Sequence, residues 1–283
     1  MGGSTERDYL LGTDDDELER LGFQHRVWAQ ETSALWNRAG FKPGQTILDL
    51  GCGPGYATLD LARLVGATGR IIGVDASARY LQHLETKRKS DGLNHVETHR
   101  CDVHELDLPA ESFDGAYARW LFCFVKDPAR VVSAVASALR PGGVFAVTDY
   151  FNYKAFTLAP RNAAVDRVVE AVQESWRAHD GDLDIMLKLP NVMAACGMRV
   201  THVTPIVRAV KPGSAAWHWV RTFFDNYLPS MVRGGFITEA EREAFDSAWE
   251  KGAQDATTRL FTPPMLDVVA YKCQTQACSG VPR

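Results

Sequence analysis

Apolar residues along this chain follow two rhythms. Over residues 45–150, short apolar runs alternate with stretches in which apolar positions recur every three or four residues. The runs Ile47–Leu50, Arg70–Val74, His95–Arg100, Phe113–Trp120 and Val144–Asp149 read as strands. Tyr56–Val65, a segment that Ser77 caps and that runs to about Arg88, and the stretch from Asp127-Pro128 to Arg140 read as helices. Ser and Asp accept from the first free amides of a helix, and proline in the first turn gives up no bond. Pro141-Gly142-Gly143 then turns the chain into the fifth strand. Strand and helix in regular alternation predict an α/β protein, a parallel sheet covered on both faces.

Outside that stretch the helical period dominates. Thr13 with Asp16 has capping-box spacing, and Leu18, Leu21, Trp28, Leu35 and Trp36 continue a stripe that Gly40 and Pro43 stop. The spacing predicts one helix of about 25 residues, its stripe interrupted by Gln24, His25 and Arg26. After Tyr150 a helix starts near Pro160, a shorter one ends at Cys196-Gly197, Ser214 caps a third, and Thr238 with Glu241 forms a capping box for a fourth. Met198–Val210 reads as one long strand and Met265–Lys272 as a final one. Residues 1–12 read as irregular and 273–283 as a disordered tail.

Composition narrows the function classes. The chain has 283 residues and a net charge of -4, so no basic footprint suggests nucleic acid as a partner. No apolar run reaches the ~18 residues that span a bilayer, and no charged segment followed by an apolar stretch suggests a secretory leader. Six cysteines without a C-x-x-C pair argue for free thiols in a reducing cytoplasm. His99, Cys101 and His104 lie close together without a complete ligand set, so no metal is expected.

The chemistry-bearing residues sit at the carboxyl ends of the strands: Asp49, Asp75, Asp102, Arg119 and Asp149, the edge at which open parallel sheets bind ligands. Gly51, Gly53 and Gly55 make a Gly-x-Gly-x-Gly turn between the first strand and its helix. A dinucleotide fingerprint wants a glycine where this chain has Tyr56, and no P-loop Gly-Lys-Ser/Thr follows, so the turn suits a nucleoside without phosphates. Asp75 can accept from both hydroxyls of its ribose.

Asp49-Leu50-Gly51-Cys52-Gly53-Pro54-Gly55 resembles the first motif of the class I S-adenosylmethionine-dependent methyltransferases. Gly73-Val74-Asp75-Ala76-Ser77 resembles their ribose-binding motif, and Cys101-Asp102-Val103 the motif that meets the adenine. Ser112-Phe113-Asp114 and Leu139-Arg140-Pro141-Gly142-Gly143 are similar to the later motifs. The resemblance implies a seven-stranded, mostly parallel Rossmann-like sheet with helices on both faces, its last strand antiparallel, plus helical lid and cap segments. It implies a helical lid over 1–44, a cofactor-binding core over 45–150, cap insertions at 151–197 and 211–262, and final strands at 198–210 and 263–272. By position, the turn (Asp49, Gly51, Cys52, Gly53, Gly55) would approach the methionine part, Asp75 and Ala76 the ribose, and Cys101, Asp102 and Val103 the adenine. Arg119 would face the amino-acid end or the substrate, and Tyr9, Gln24 and Trp28 could close over the cofactor.

The implied reaction is methyl transfer from S-adenosylmethionine to a small-molecule oxygen, nitrogen, sulfur or carbon nucleophile. Two other readings are aminopropyl transfer on the same fold and a cofactor-binding protein without catalysis. His25, Tyr150, Tyr153, Glu174 and His179 are candidate bases or substrate contacts, and the sequence does not choose among them. Aromatic residues of the cap, among them Phe156, Trp176, Trp219 and Phe223, could line an apolar or aromatic substrate pocket or equally pack the cap onto the sheet. The sequence assigns no oligomeric state.

Overall fold

The structure is a computed structural model, and it describes residue 13 and residues 15–273. Two helices come first, α1 (Asp15–Val27) and α2 (Ala29–Ala39). The core then runs β1 (Thr46–Leu50), α3 (Tyr56–Val65), β2 (Arg70–Asp75), α4 (Ala78–Ser90), β3 (Val96–Arg100), β4 (Phe113–Arg119), α5 (Pro128–Ala138) and β5 (Leu139–Tyr150). After it come β6 (Thr157–Ala159), α6 (Ala163–Ala178), α7 (Leu189–Ala195), β7 (Met198–Ile206), β8 (Ala209–Val210), α8 (Ala215–Arg233), α9 (Glu239–Gln254), β9 (Arg259–Phe261) and β10 (Met265–Lys272).

Seven strands form one sheet in the order β3-β2-β1-β4-β5-β10-β7. β1 pairs in parallel with β2 and β4, and β10 runs antiparallel to both β5 and β7. The seven-stranded sheet with an antiparallel last strand is therefore present. From β1 the chain winds outward through β2 to β3, then returns to the other side of β1 for β4 and β5. The direction of winding reverses between β1 and β4, and the crevice beyond their carboxyl ends is where such sheets bind ligands. One apolar cluster under the sheet is built on Leu48, Phe122, Phe145 and Val168, and the other on Leu35, Ile47, Leu61 and Ala146.

Local chemistry sets most element ends. Ser77 accepts from the Tyr80 amide, Asp127 from Arg130, and Thr238 with Glu241 completes its reciprocal box. Three expectations differ. The single N-terminal helix is two, because Trp28 leaves helical geometry (φ -110°, ψ 11°) to bury its indole against Trp120 and Trp219, with the Arg208 guanidinium 4.0 Å from the ring centroid. The long strand from Met198 breaks after Ile206, and Ala209–Val210 joins β9 and β6 in a separate three-stranded sheet. α5 stops at Ala138 rather than Arg140, because Leu139 already pairs with Phe113.

Cys52, Cys101, Cys123 and Cys196 are free thiols, whereas Cys273 is in a disulfide, contrary to the expectation that all six are free. No helix among the described residues is long and apolar enough to cross a membrane. Tyr9 and the expected tail beyond Cys273 lie outside the described residues.

Candidate functional site

A cavity of about 250 Å³ lies at the crevice between β1 and β4. Its floor is the turn after β1. The Cys52 amide donates to Val74 O at 3.0 Å and ties the turn to β2. Gly53 has φ +54°, and a Cβ there would meet nothing within 4 Å, so it would project into open space. Gly55 differs: at φ +86° its Cβ would stand 2.3 Å from Leu84 Cδ1, and it does not line the cavity. The first glycine keeps room above the backbone, and the second lets α4 pack against the start of α3.

The carboxylates are held by the backbone. Asp75 Oδ2 accepts from the Gly53 amide at 2.8 Å and Oδ1 from the Ser77 amide at 2.8 Å. Burial pushes its pKa up, and those two backbone bonds oppose the rise. Asp49 is 2% exposed and accepts from Thr58 Oγ1 at 2.7 Å. Burial raises it to about 7, against the pull of Thr58 and Arg119. Asp102 Oδ1 takes the His104 amide at 2.9 Å and ring Nδ1 at 2.8 Å, fixing the loop after β3. Arg119, at the end of β4, donates to Thr32 Oγ1 at 2.8 Å and to His25 Nδ1 at 3.0 Å. Its guanidinium lies 4.8 Å from the ring centroid of Trp120.

Gly51, Cys52, Ala76, Cys101, Val103 and Gln24 also line this cavity. His25 and Trp28 do not: the histidine bridges Arg119 to Asp60, and the tryptophan is helix packing. The sequence reading missed Tyr80, Tyr117 and Trp120. Trp120 carried a signal only in its place directly after Arg119. Its backbone is left-handed (φ +51°), a costly conformation for a bulky residue that the fold holds at the mouth of the site.

A second chamber of about 50 Å³ adjoins the first. The two share Leu21, Gln24, Trp120 and Phe124. Tyr150, Tyr153, Phe156, Trp176, Trp219 and Phe223 supply its aromatic walls. So two of the candidate substrate contacts, Tyr150 and Tyr153, come to this chamber, and burial raises the pKa of both phenols. His179 and Glu174 do not: His179 Nδ1 lies 2.7 Å from Ser175 O, and Glu174 pairs with Arg167 at 3.4 Å. Arg20, missed from sequence, closes the polar end on α1, a helix that buries Glu17, Arg20, Gln24 and His25.

A sheet-edge cavity with a glycine floor, a backbone-held acid after β2 and a second acid after β3 defines a nucleoside-binding α/β protein. Residues 47–143 match the family model described as a methyltransferase domain. The 2-phytyl-1,4-naphtoquinone methyltransferase of Trichormus variabilis is 37% identical over 131 residues, covering 45% of this chain and 55% of that one. Phospholethanolamine N-methyltransferase 2 of Haemonchus contortus, solved with phosphomonomethylethanolamine and S-adenosylhomocysteine, has TM-score 0.56 and 18% identity, covering 87% of this chain and 53% of that one. The [4+2]-cyclase SpnF shares the fold with TM-score 0.57 and 18% identity, covering 86% and 81%. The chain carries a methyltransferase domain over residues 47–143, and its likeness to the solved structures is one of fold. It spans about half the length of the naphtoquinone methyltransferases it matches, 55% in the case above.

Proposed function

We propose that the protein transfers a methyl group from S-adenosylmethionine to a small molecule held in the second chamber. The observation that carries this is the adjacency of the two cavities: a nucleoside site of family pattern shares Leu21, Gln24, Trp120 and Phe124 as walls with an aromatic chamber. The residues present fit the cofactor, since a Cβ at Gly53 would enter the cavity and Asp75 is half-buried with both oxygens already oriented. In this reading Asp75 takes the ribose, Asp102 and Val103 the adenine, and Gly51, Gly53 and Arg119 the methionine end. The bound cofactor supplies a methyl carbon activated by a positively charged sulfur. The chain's own part is alignment and exclusion of water, worth up to ~7–11 kcal/mol in favourable cases. The N-terminal helices and residues 151–262 act as lid and cap. Net charge -4 supports a small molecule rather than nucleic acid as the partner; four of the five cysteines among the described residues are free, which supports a cytoplasmic setting, and the Cys273 disulfide weighs against it.

The second chamber has no carboxylate in its lining, which disfavours a polyamine and hence aminopropyl transfer. SpnF is named a cyclase on this fold, so the fold does not settle the reaction. Calorimetric titration with S-adenosylmethionine, on the wild type and Asp75→Ala, tests the site. Saturable heat lost in the variant is expected, and equal affinity in both would count against it. A radiolabelled methyl-transfer screen over small-molecule extracts tests the activity, and the absence of any labelled product would leave a binding protein.

A further inference from the structure

Arg20 and Gln24 meet at one polar end of the second chamber, and the hydrogen bonding of the Gln24 amide is one-sided. Gln24 Oε1 accepts from Arg20 Nη1 at 3.1 Å and from Trp219 Nε1 at 2.7 Å. Guanidinium and indole nitrogens only donate, so the atom facing them is the amide oxygen and its orientation is settled by its partners. The Gln24 NH2 therefore points away from them, has no hydrogen-bond partner among the described residues, and belongs to a side chain that lines both cavities. Arg20 is itself oriented by Glu17, through Nε to Oε2 and Nη2 to Oε1, both at 2.6 Å. Glu17 in turn accepts from Asn226 Nδ2 at 3.0 Å, so a network from α8 fixes the amide.

Nothing else in the lining removes a proton. The chamber holds no His, Asp, Glu, Lys or Cys, and its titratable groups are Arg20 and the phenols Tyr150 and Tyr153, which burial keeps protonated. An acceptor that must lose a proton before attack finds no base in this chamber, and the first cavity's carboxylates Asp49, Asp75 and Asp102 are already held by Thr58, by the Gly53 and Ser77 amides and by His104, whereas an acceptor that arrives ionised finds a fixed donor. At about 50 Å³ the chamber is well below the ~150 Å³ that encloses a benzene ring. A single ring enters only as the aromatic walls yield, with its polar edge at Gln24 and Trp120, the walls shared with the first cavity.

Resting on the methyl-transfer reading above, we propose that this chamber takes a compact aromatic oxyanion, a phenolate or enolate, whose oxygen the Gln24 amide holds at the junction of the two cavities. The anion's own electron pair forms the bond to the methyl carbon, and the pair of the broken carbon–sulfur bond stays on sulfur. The anionic acceptor and the positive sulfur give two products without that charge, and no proton leaves in the step.

Calorimetry with S-adenosylhomocysteine present tests this, using 4-nitrophenolate as probe with nitrobenzene and phenyltrimethylammonium as neutral and cationic controls. The phenolate should bind at least about tenfold tighter than either control. Gln24→Glu keeps an oxygen for Arg20 and Trp219 but removes the NH2, and should abolish that preference. Val220→Trp fills the chamber and should lose the phenolate while still binding S-adenosylhomocysteine. Equal binding of the controls, a preference that survives Gln24→Glu, or phenolate binding unaffected by Val220→Trp would each overturn the proposal. Wild type that binds neither S-adenosylmethionine nor S-adenosylhomocysteine would instead overturn the cofactor reading beneath it.

Discussion

Arg119 donates from Nη2 to Nδ1 of His25 at 3.0 Å, and that bond decides the state of the histidine. A guanidinium cannot accept, so Nδ1 must be the bare nitrogen and the proton sits on Nε2. Nε2 lies 2.9 Å from Asp60 Oδ2 and donates to it. The chain Arg119–His25–Asp60 thus runs from β4 through α1 to α3, and pins both the N-terminal helix and the one guanidinium that lines the first cavity among the described residues.

His25→Leu should release Arg119. A hydrogen bond to a charged group is worth about 1.5–3 kcal/mol, so calorimetric affinity for S-adenosylmethionine should fall by about tenfold or more. An affinity unchanged within twofold would show that Thr32 alone positions Arg119. The pH dependence follows from Asp60, whose carboxyl is held below its usual 3.8 chiefly by the bond from His25. A lowered folded pKa contributes stability above the unfolded value and loses it as the pH falls through the folded one. The variant should therefore lose part of the wild type's acid sensitivity on the low side of 3.8.

Gly53 and Gly55 lie two residues apart in one turn, yet substitution should separate their roles. Alanine at Gly55 meets Leu84 at 2.3 Å on a left-handed backbone. Overpacking and strain together should lower stability by about 2–4 kcal/mol. Alanine at Gly53 meets no atom and carries only the left-handed penalty of about 1–2 kcal/mol, but its methyl occupies cofactor space. Denaturant melts beside calorimetry should show Gly55→Ala as the stability lesion and Gly53→Ala as the greater loss of affinity. The reverse order would contradict the assignment of the cavity floor.

The β1–β5 core was legible because parallel strands and their covering helices repeat a pattern that local chemistry punctuates, as at Ser77, Asp127 and Thr238. The motif residues Asp49, Asp75, Asp102 and Arg119 followed from it, since strand ends place them on one edge. What stayed hidden depends on partners distant in sequence. Trp28 breaks a helix for the sake of Trp120, Trp219 and Arg208, none of which lies within ninety residues of it. β6 and β9 are three residues each, too short to show alternation. Gln24, His25 and Arg26 looked like a flaw in an apolar stripe. In the fold the Gln24 and His25 side chains face inward, where they serve the site.

Asp49 offers a test that needs no ligand. Burial raises its carboxyl from 3.8 to about 7, and Asp149 is raised likewise to about 6. A carboxyl whose folded pKa is raised binds its proton more tightly in the folded state. Its ionisation penalty is absent below 3.8 and grows until the pH passes about 7. The wild type should therefore lose stability as the pH rises through that window. At 1.36 kcal/mol per pKa unit the Asp49 share has an upper bound on the order of 4 kcal/mol. Asp49→Asn retains an oxygen to accept from the Thr58 hydroxyl but cannot ionise. The buried NH2 carries its own pH-independent cost, so the slope and not the height of the curve is the measure. Thermal melts at about pH 5 and about pH 8 should show a difference smaller in the variant by several degrees, since ~1 kcal/mol moves a domain of this size by about 2–4 °C. Parallel pH curves for the two proteins would mean that Asp49 ionises in the folded protein as freely as in water.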